Sequence, residues 1–336
     1  MRNLNFNKLK KTFLTAEIGI NHNGSEELAF KMLNEAKKTG VDAIKFQTFR
    51  TEDYISIDEK DRFNRTKKFE LDRSFFEKIF LYSKKKNIIS YSTPFGLDDL
   101  NFIKTRSPII KIASGEITYN ELIYKAALTK KPLILSTGLA TESEIDNAIK
   151  IIIKANPKVK KDGKLLLLHC VSGYPTPINE INLASIKFLE NKFNLPVGFS
   201  DHSLEEETSF FAVLAGAVAI EKHFTLNKKD KFIRDHAISF EPKEFKSIIN
   251  KIKNAEIVLG NKEKFIQSSE KKNFKYLRRS VAAAIDIEAG TKIKKSHIKA
   301  LRPLYDIPIE NMKMILGKKI NINIKKNQII KKRFIK

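Results

Sequence analysis

The sequence predicts a (β/α)₈ barrel followed by a small β-rich domain, on three observations. Short β-rich runs alternate with longer amphipathic segments from Thr12 to about Leu259. The runs number roughly eight, as a closed barrel requires. After Gly260 the alternation stops, and short apolar pieces succeed a polar stretch. At 336 residues the chain exceeds one compact domain, whereas a barrel of this class uses about 250 residues as a single unit. A doubly wound open sheet is the structural alternative for the same alternation.

The β-rich runs fall, in order, at Phe13–Ile20, Asp42–Thr48, Ile88–Ser92, Ile109–Ile112, Pro132–Ser136, Lys164–His169, Pro196–Phe199 and Val218–His223. Between them apolar residues recur at three- and four-residue spacings, predicting helices over Glu26–Thr39, Ser74–Lys86, Glu142–Ala155 and Glu205–Ala215. A last barrel helix over Pro242–Leu259 stops at Gly260. Residues 261–279 offer little apolar surface to bury and read as a linker. Residues 280–336 form the small domain, with a β run at Ser280–Ile285, a turn at Glu288–Thr291 and short apolar pieces around Ile298, Leu301, Ile315 and Ile320–Ile324.

Composition narrows the function classes. The net charge of +24 raises the question of nucleic acid, but the lysines are spread along the whole chain rather than clustered. Excess positive charge of this kind steers small anionic substrates, so neither nucleic acid nor a membrane is the expected partner. Cys170 is the single cysteine, which excludes an intramolecular disulfide and fits a reducing cytoplasm. Met1–Lys11 lacks the apolar core of a signal peptide, and no run approaches the roughly 18 apolar residues that span a bilayer.

In such a barrel the reacting groups come from the carboxyl ends of the strands, and there the sequence collects polar residues. Strand one carries Glu17, strand two Lys45 and Gln47, and strand three ends at Thr93. Strand four carries Lys111 before Ser114-Gly115-Glu116, and strand five ends at Ser136-Thr137-Gly138. Strand six gives His169 and then Ser172 and Tyr174; strands seven and eight end at His202 and His223. Neighbouring strand ends lie about 5 Å apart, so His202 and His223 are within reach of one metal ion. Two lysines embedded in β runs point to an anion site, and the N–H groups of Gly24, Gly115 and Gly138 are candidates for a phosphate cradle. No nucleotide-binding glycine fingerprint and no G-x-S-x-G elbow is present, which disfavours a bound nucleotide and a serine hydrolase.

These stretches resemble the sialic acid synthase family, which makes nonulosonic acids. The resemblance is carried by Ala16–Gly24, Lys45–Thr48, Ser92–Phe95, Lys111–Glu116, Leu135–Gly138, His169-Cys170, Tyr174–Pro177, Gly198–His202 and Glu221–Phe224. Asp286–Gly290 and Leu301-Arg302-Pro303 are similar to the antifreeze-like (SAF) domain of those enzymes.

The resemblance implies condensation of phosphoenolpyruvate with an open-chain N-acyl amino sugar of the N-acetylmannosamine type, giving a sialic acid and phosphate by C–O cleavage. Legionaminate or pseudaminate synthesis from a 2,4-diacetamido-trideoxy hexose is the alternative of the same class. It further implies that His202 and His223 hold a divalent ion, Mn²⁺ in the family with Mg²⁺ or Co²⁺ as substitutes, acting as a Lewis acid on the carbonyl. Lys45, Lys111, Ser136 and Ser172 would hold the phosphate and carboxylate, with Gln47, Thr93 and Ser114 lining the pocket. Glu116, Tyr174 and Asp235 would contact sugar hydroxyls, while Glu17 would serve either the attacking water or the surroundings of the metal. Arg302 would reach the partner's barrel in a homodimer with swapped tails. Ser172 stands where some members have Asn, and Leu304-Tyr305-Asp306 replaces a glycine-rich turn. A Schiff-base aldolase using Lys45 or Lys111 and a catalytically silent sugar-acid binding protein are the competing functions.

Overall fold

The computed structural model describes residues 4–261 and 263–336. Eight parallel strands close into a barrel in chain order: β1 (Phe13–Gly19), β2 (Ala43–Thr48), β3 (Ile89–Pro94), β4 (Ile110–Ile112), β5 (Leu133–Ser136), β6 (Leu165–Cys170), β7 (Val197–Asp201) and β8 (Ala219–His223). Closure is direct, since β1 pairs with β8 with Glu17 opposite His223. The open-sheet alternative is therefore overturned, because each strand has a neighbour on both sides and no edge remains.

Alternation along the strands sorts side chains between two cores. Leu14, Ala16, Ile44, Phe46, Leu135, Leu167, Phe199 and Ile220 face outward against the helices, where they pack with residues such as Leu33, Phe75, Ile149 and Ile249. Phe13, Ala43, Tyr91, Ile134, Leu166 and Ala219 fill the barrel interior, with Phe6 packed among them. The interior is apolar and plugged below and polar above, so chemistry is confined to the carboxyl end. Above it Phe49, Phe69, Phe95 and Ile233 form an apolar collar contributed by the connecting loops.

The helices Glu26–Thr39, Glu142–Ala155 and Pro242–Leu259 lie where periodicity predicts them. Ser25 caps the first through Leu28 N, and Thr141 with Glu144 forms a capping box on the second. Two further helices, Thr51–Tyr54 and Lys60–Lys67, occupy the β2–β3 connection; neither has an apolar stripe long enough to announce itself.

The chain divides into two compact units, Met1–Gly260 and Asn261–Lys336. In the second, the stretch read as a linker carries the helix Ser268–Leu277, whose Glu270 side chain accepts from Gln267 N at 2.7 Å at its first turn although none of its residues is buried. A local capping motif thus makes a helix where burial does not. The small unit then pairs β9 (Ser280–Ala283) antiparallel with β10 (Ile298–Leu301) over a core of Val281, Ile287, Ile298, Ile307 and Ile330.

Candidate active site

The inward positions at the carboxyl ends of the strands bring two lysines and two carboxylates together. Lys45 Nζ lies 2.7 Å from Glu17 Oε2 and 3.5 Å from Glu221 Oε1, and Lys111 Nζ lies 2.9 Å from Glu221 Oε1. Ser200 Oγ donates to the same Glu221 oxygen at 3.0 Å, and all four charged groups are buried. The paired lysines expected to form an anion site are therefore already balanced by two acids, and Glu221, absent from the predicted site, is the hub of the cluster.

Position splits the two acids. Burial pushes Glu17 up to about 7, only partly offset by Lys45. Burial acts on Glu221 in the same sense, but Lys111 and Lys45 outweigh it and hold that carboxyl far below its ordinary range. Lys45 is held above the usual ammonium range because its two carboxylates outweigh burial, whereas burial prevails at Lys111. Two acids pushed apart by their surroundings form a proton-holding pair. Glu17 is the member that titrates near neutrality.

The histidines stand beside this cluster, their ring centroids 5.5 Å apart. His202 Nδ1 donates to the Val171 carbonyl at 2.7 Å, which leaves Nε2 with its lone pair. Ser200 Oγ, 3.4 Å from that nitrogen, gives its proton to Glu221. His223 Nδ1 is buried without a hydrogen-bond partner, and Asp235 Oδ2 lies 3.7 Å away. Burial lowers His202 to about 4 and holds His223 well below the usual imidazole range, so both rings are neutral. Neutral imidazoles with uncommitted nitrogens fit a divalent ion. Among the described residues no group of three or more His, Cys, Asp or Glu is arranged to hold a metal, so a site here would draw on these two rings and keep its other positions open.

The remaining predicted residues lie at stated places. Thr93 Oγ1 is 3.5 Å from Lys45 Nζ, and Gln47 Nε2 and Glu17 Oε1 meet over Gly19, where an added Cβ would lie 3.4 and 2.9 Å from them. Ser136 is buried at the end of β5. Ser114, Ser172 and Cys170 converge on Gly138, where an added Cβ would sit 2.8, 2.5 and 3.0 Å from their side-chain heteroatoms. Glu116 ends the short turn Ser114–Glu116, with its carboxyl raised by burial. Tyr174 is half exposed, its ring 4.3 Å from that of His202. Asp235, partly buried on the helix Asp235–Ile238, is raised by burial to about 6 and stands beside His223. Arg302 lies in the small unit, exposed just beyond β10.

Two expectations are corrected. The N–H groups of Gly24 and Gly138 donate to His22 Nδ1 and Ser114 Oγ, so they are taken rather than presented to a phosphate. His169 faces the helix layer, stacking on Phe199 with Nε2 at 2.8 Å from the Ile181 carbonyl, and does not join the mouth.

The NeuB family model matches residues 32–264, and the SAF domain model matches residues 278–336. The chain belongs to the NeuB family. This NeuB-family chain is 35% identical to the N,N'-diacetyllegionaminic acid synthase of Campylobacter jejuni, over 96% of the chain and 100% of that protein. It is 36% identical to a pseudaminic acid synthase of the same organism, over 97% of each. A crystal structure of the N-acetylneuraminic acid synthetase of Leptospira borgpetersenii, in complex with citrate, superposes with a TM-score of 0.74 at 37% identity, covering 79% of this chain and 90% of that one.

Proposed function

We propose that this NeuB-family chain condenses phosphoenolpyruvate with an open-chain N-acyl amino sugar, giving a nonulosonic acid and inorganic phosphate. The observation that carries the reading is the juxtaposition of the Lys45–Glu17–Glu221–Lys111 cluster with two neutral, uncommitted histidines at one barrel mouth. The relatives matched over nearly their full length are named as synthases of such acids. A divalent ion on His202 and His223, Mn²⁺ in this reading, supplies Lewis-acid polarisation of a carbonyl.

The chain's own residues do the rest. Lys45 and Lys111 hold the phosphate and carboxylate of phosphoenolpyruvate, with Ser136, Ser172, Thr93, Ser114 and Gln47 around them. Protonation of Glu17 leaves the four-residue cluster with a net positive charge, which favours entry of that anion. Carbon 3 of phosphoenolpyruvate forms the new bond to the aldehyde carbon, water adds at carbon 2, and the C–O bond to phosphate breaks. Glu17 titrates near neutrality, and it is in its ionised form that Glu17 Oε1, buried and without a hydrogen-bond partner, receives the proton of that water. Glu116, Tyr174 and Asp235 contact the sugar, and Arg302 contributes from the partner subunit of a homodimer. The single buried thiol of Cys170 suits a reducing, cytoplasmic setting, and among the described residues no helix is long and apolar enough to cross a membrane.

A neutral lysine is the nucleophile of a Schiff-base aldolase, and Lys45 is instead held as an ammonium between two carboxylates. The test is phosphate release from phosphoenolpyruvate with Mn²⁺ and a panel of N-acetylmannosamine, its 6-phosphate and 2,4-diacetamido-trideoxy hexoses. Release with at least one sugar, lost on EDTA treatment and in His202→Ala, is expected. No release with any of them contradicts the proposal, and tight sugar binding without release would restore the silent binding protein.

A further inference from the structure

Each histidine of the candidate metal site follows a residue of opposite charge, Asp201 before His202 and Lys222 before His223. Side chains alternate across a strand, so with the histidines turned inward their neighbours turn outward. The register places Asp201 directly opposite Lys222, with Lys222 Nζ 3.2 Å from Asp201 Oδ2. An ion pair therefore bridges the two strands on the face behind the two histidines.

The pair lies in the layer between barrel and helices, where Asp201 is 0% and Lys222 1% exposed. Burying two charges costs several kcal/mol per ion unless every lone pair and proton is used, and here the satisfaction is dense. Asp201 Oδ1 accepts from Ser203 N at 2.9 Å and Ser203 Oγ at 2.6 Å, while Oδ2 accepts from Thr208 Oγ1 at 2.6 Å and Ser209 Oγ at 2.8 Å. Lys222 Nζ donates to the Ser203 carbonyl at 2.6 Å and sits 4.3 Å from the centre of the Phe240 ring. Phe240 N in turn donates to the His223 carbonyl at 2.9 Å. Both residues flanking His202 are thus tied to Lys222, and the backbone of His223 is tied to the ring beneath it.

Apolar residues of matching volume would serve stability as well as a buried ion pair does. What the charges add is a directed link whose length and direction are set by hydrogen bonds, between the two backbones that carry the ligands. We propose that Asp201 and Lys222 are positioning residues: their ion pair is a strut that fixes the spacing of His202 and His223 and thereby the affinity for a divalent metal. The inference rests on the two-histidine metal reading given above.

The test is Mn²⁺ binding followed by electron paramagnetic resonance titration of the full-length protein without substrates, a readout independent of turnover. Wild type is expected to bind one ion, lost in His202→Ala. The Asp201→Asn/Lys222→Met double variant removes both charges together, so neither is left unpaired. It is expected to remain folded by circular dichroism and to bind Mn²⁺ roughly ten- to a hundredfold more weakly, the range for groups that orient metal ligands. Lys222→Arg, which keeps the charge, is expected to retain most of the affinity. Wild-type affinity in the folded double variant overturns the strut alone; absence of Mn²⁺ binding in wild type overturns the metal reading and the strut with it. Should the double variant not fold, Thr208→Val/Ser209→Ala strips two donors from Asp201 without unpairing it. A loss of a few-fold then supports the strut, and unchanged affinity overturns it.

Discussion

Glu17 and Glu221 share Lys45, yet only Glu17 titrates near neutrality, since Glu221 also holds Lys111 and Ser200. The cluster is neutral when both acids are ionised and positive when Glu17 is protonated. KM for phosphoenolpyruvate is therefore expected to rise about tenfold as pH increases through 7. Glu17→Gln should hold KM near its low-pH value across the range while lowering kcat roughly a hundredfold, because water addition loses its proton acceptor. Steady-state kinetics between pH 6 and 8 checks both; a KM profile unchanged by the substitution contradicts the charge account. The same shift has a sign for stability. The folded state binds a proton more tightly than the unfolded chain, so this residue's contribution is full below about 4.5 and is lost as pH rises toward 7. The lysines were legible in the sequence because charge inside a β run is rare. Glu221 carries the same signal in the run Val218–His223, but its place as the hub was not legible, because which lysine it meets is set by barrel closure rather than by local spacing. Likewise the apolar run Leu165–Leu168 has no alternation from which the outward direction of His169 could be read.

At the scale of the element, the strands fall within one or two residues of their sequence-predicted bounds, because β-branched or leucine-rich runs and flanking turn residues mark both ends. The short helices Thr51–Tyr54 and Lys60–Lys67 and the capped helix Ser268–Leu277 were missed for a common reason: they bury little or nothing, so no apolar period exists to be seen. Tight packing of β7 is equally silent in sequence. Gly198 sits where an added Cβ would lie 2.6 Å from the Ala219 carbonyl oxygen and 2.7 Å from a Leu168 methyl. Gly198→Ala is expected to destabilise the barrel by about 1–3 kcal/mol through overpacking, measured by urea denaturation. A variant as stable as wild type would show that β6–β8 can open without cost.

For the whole molecule, the two units, Met1–Gly260 and Asn261–Lys336, each have a core of their own. Which subunit Arg302 serves is not written in local spacing, since it depends on assembly. If Arg302 completes the partner's site, equal mixing of His202→Ala and Arg302→Ala subunits should restore about a quarter of wild-type activity, as half the dimers are mixed and each holds one intact site. No recovery after demonstrated subunit exchange would place Arg302 in its own subunit's site or in none. The central claim is the condensation itself, and the most direct measurement labels the bridging oxygen of phosphoenolpyruvate with ¹⁸O in the Mn²⁺ reaction with the sugar panel. The account predicts a nonulosonic acid and inorganic phosphate carrying the label, as C–O cleavage requires; unlabelled phosphate, or no phosphate with any sugar, would contradict it.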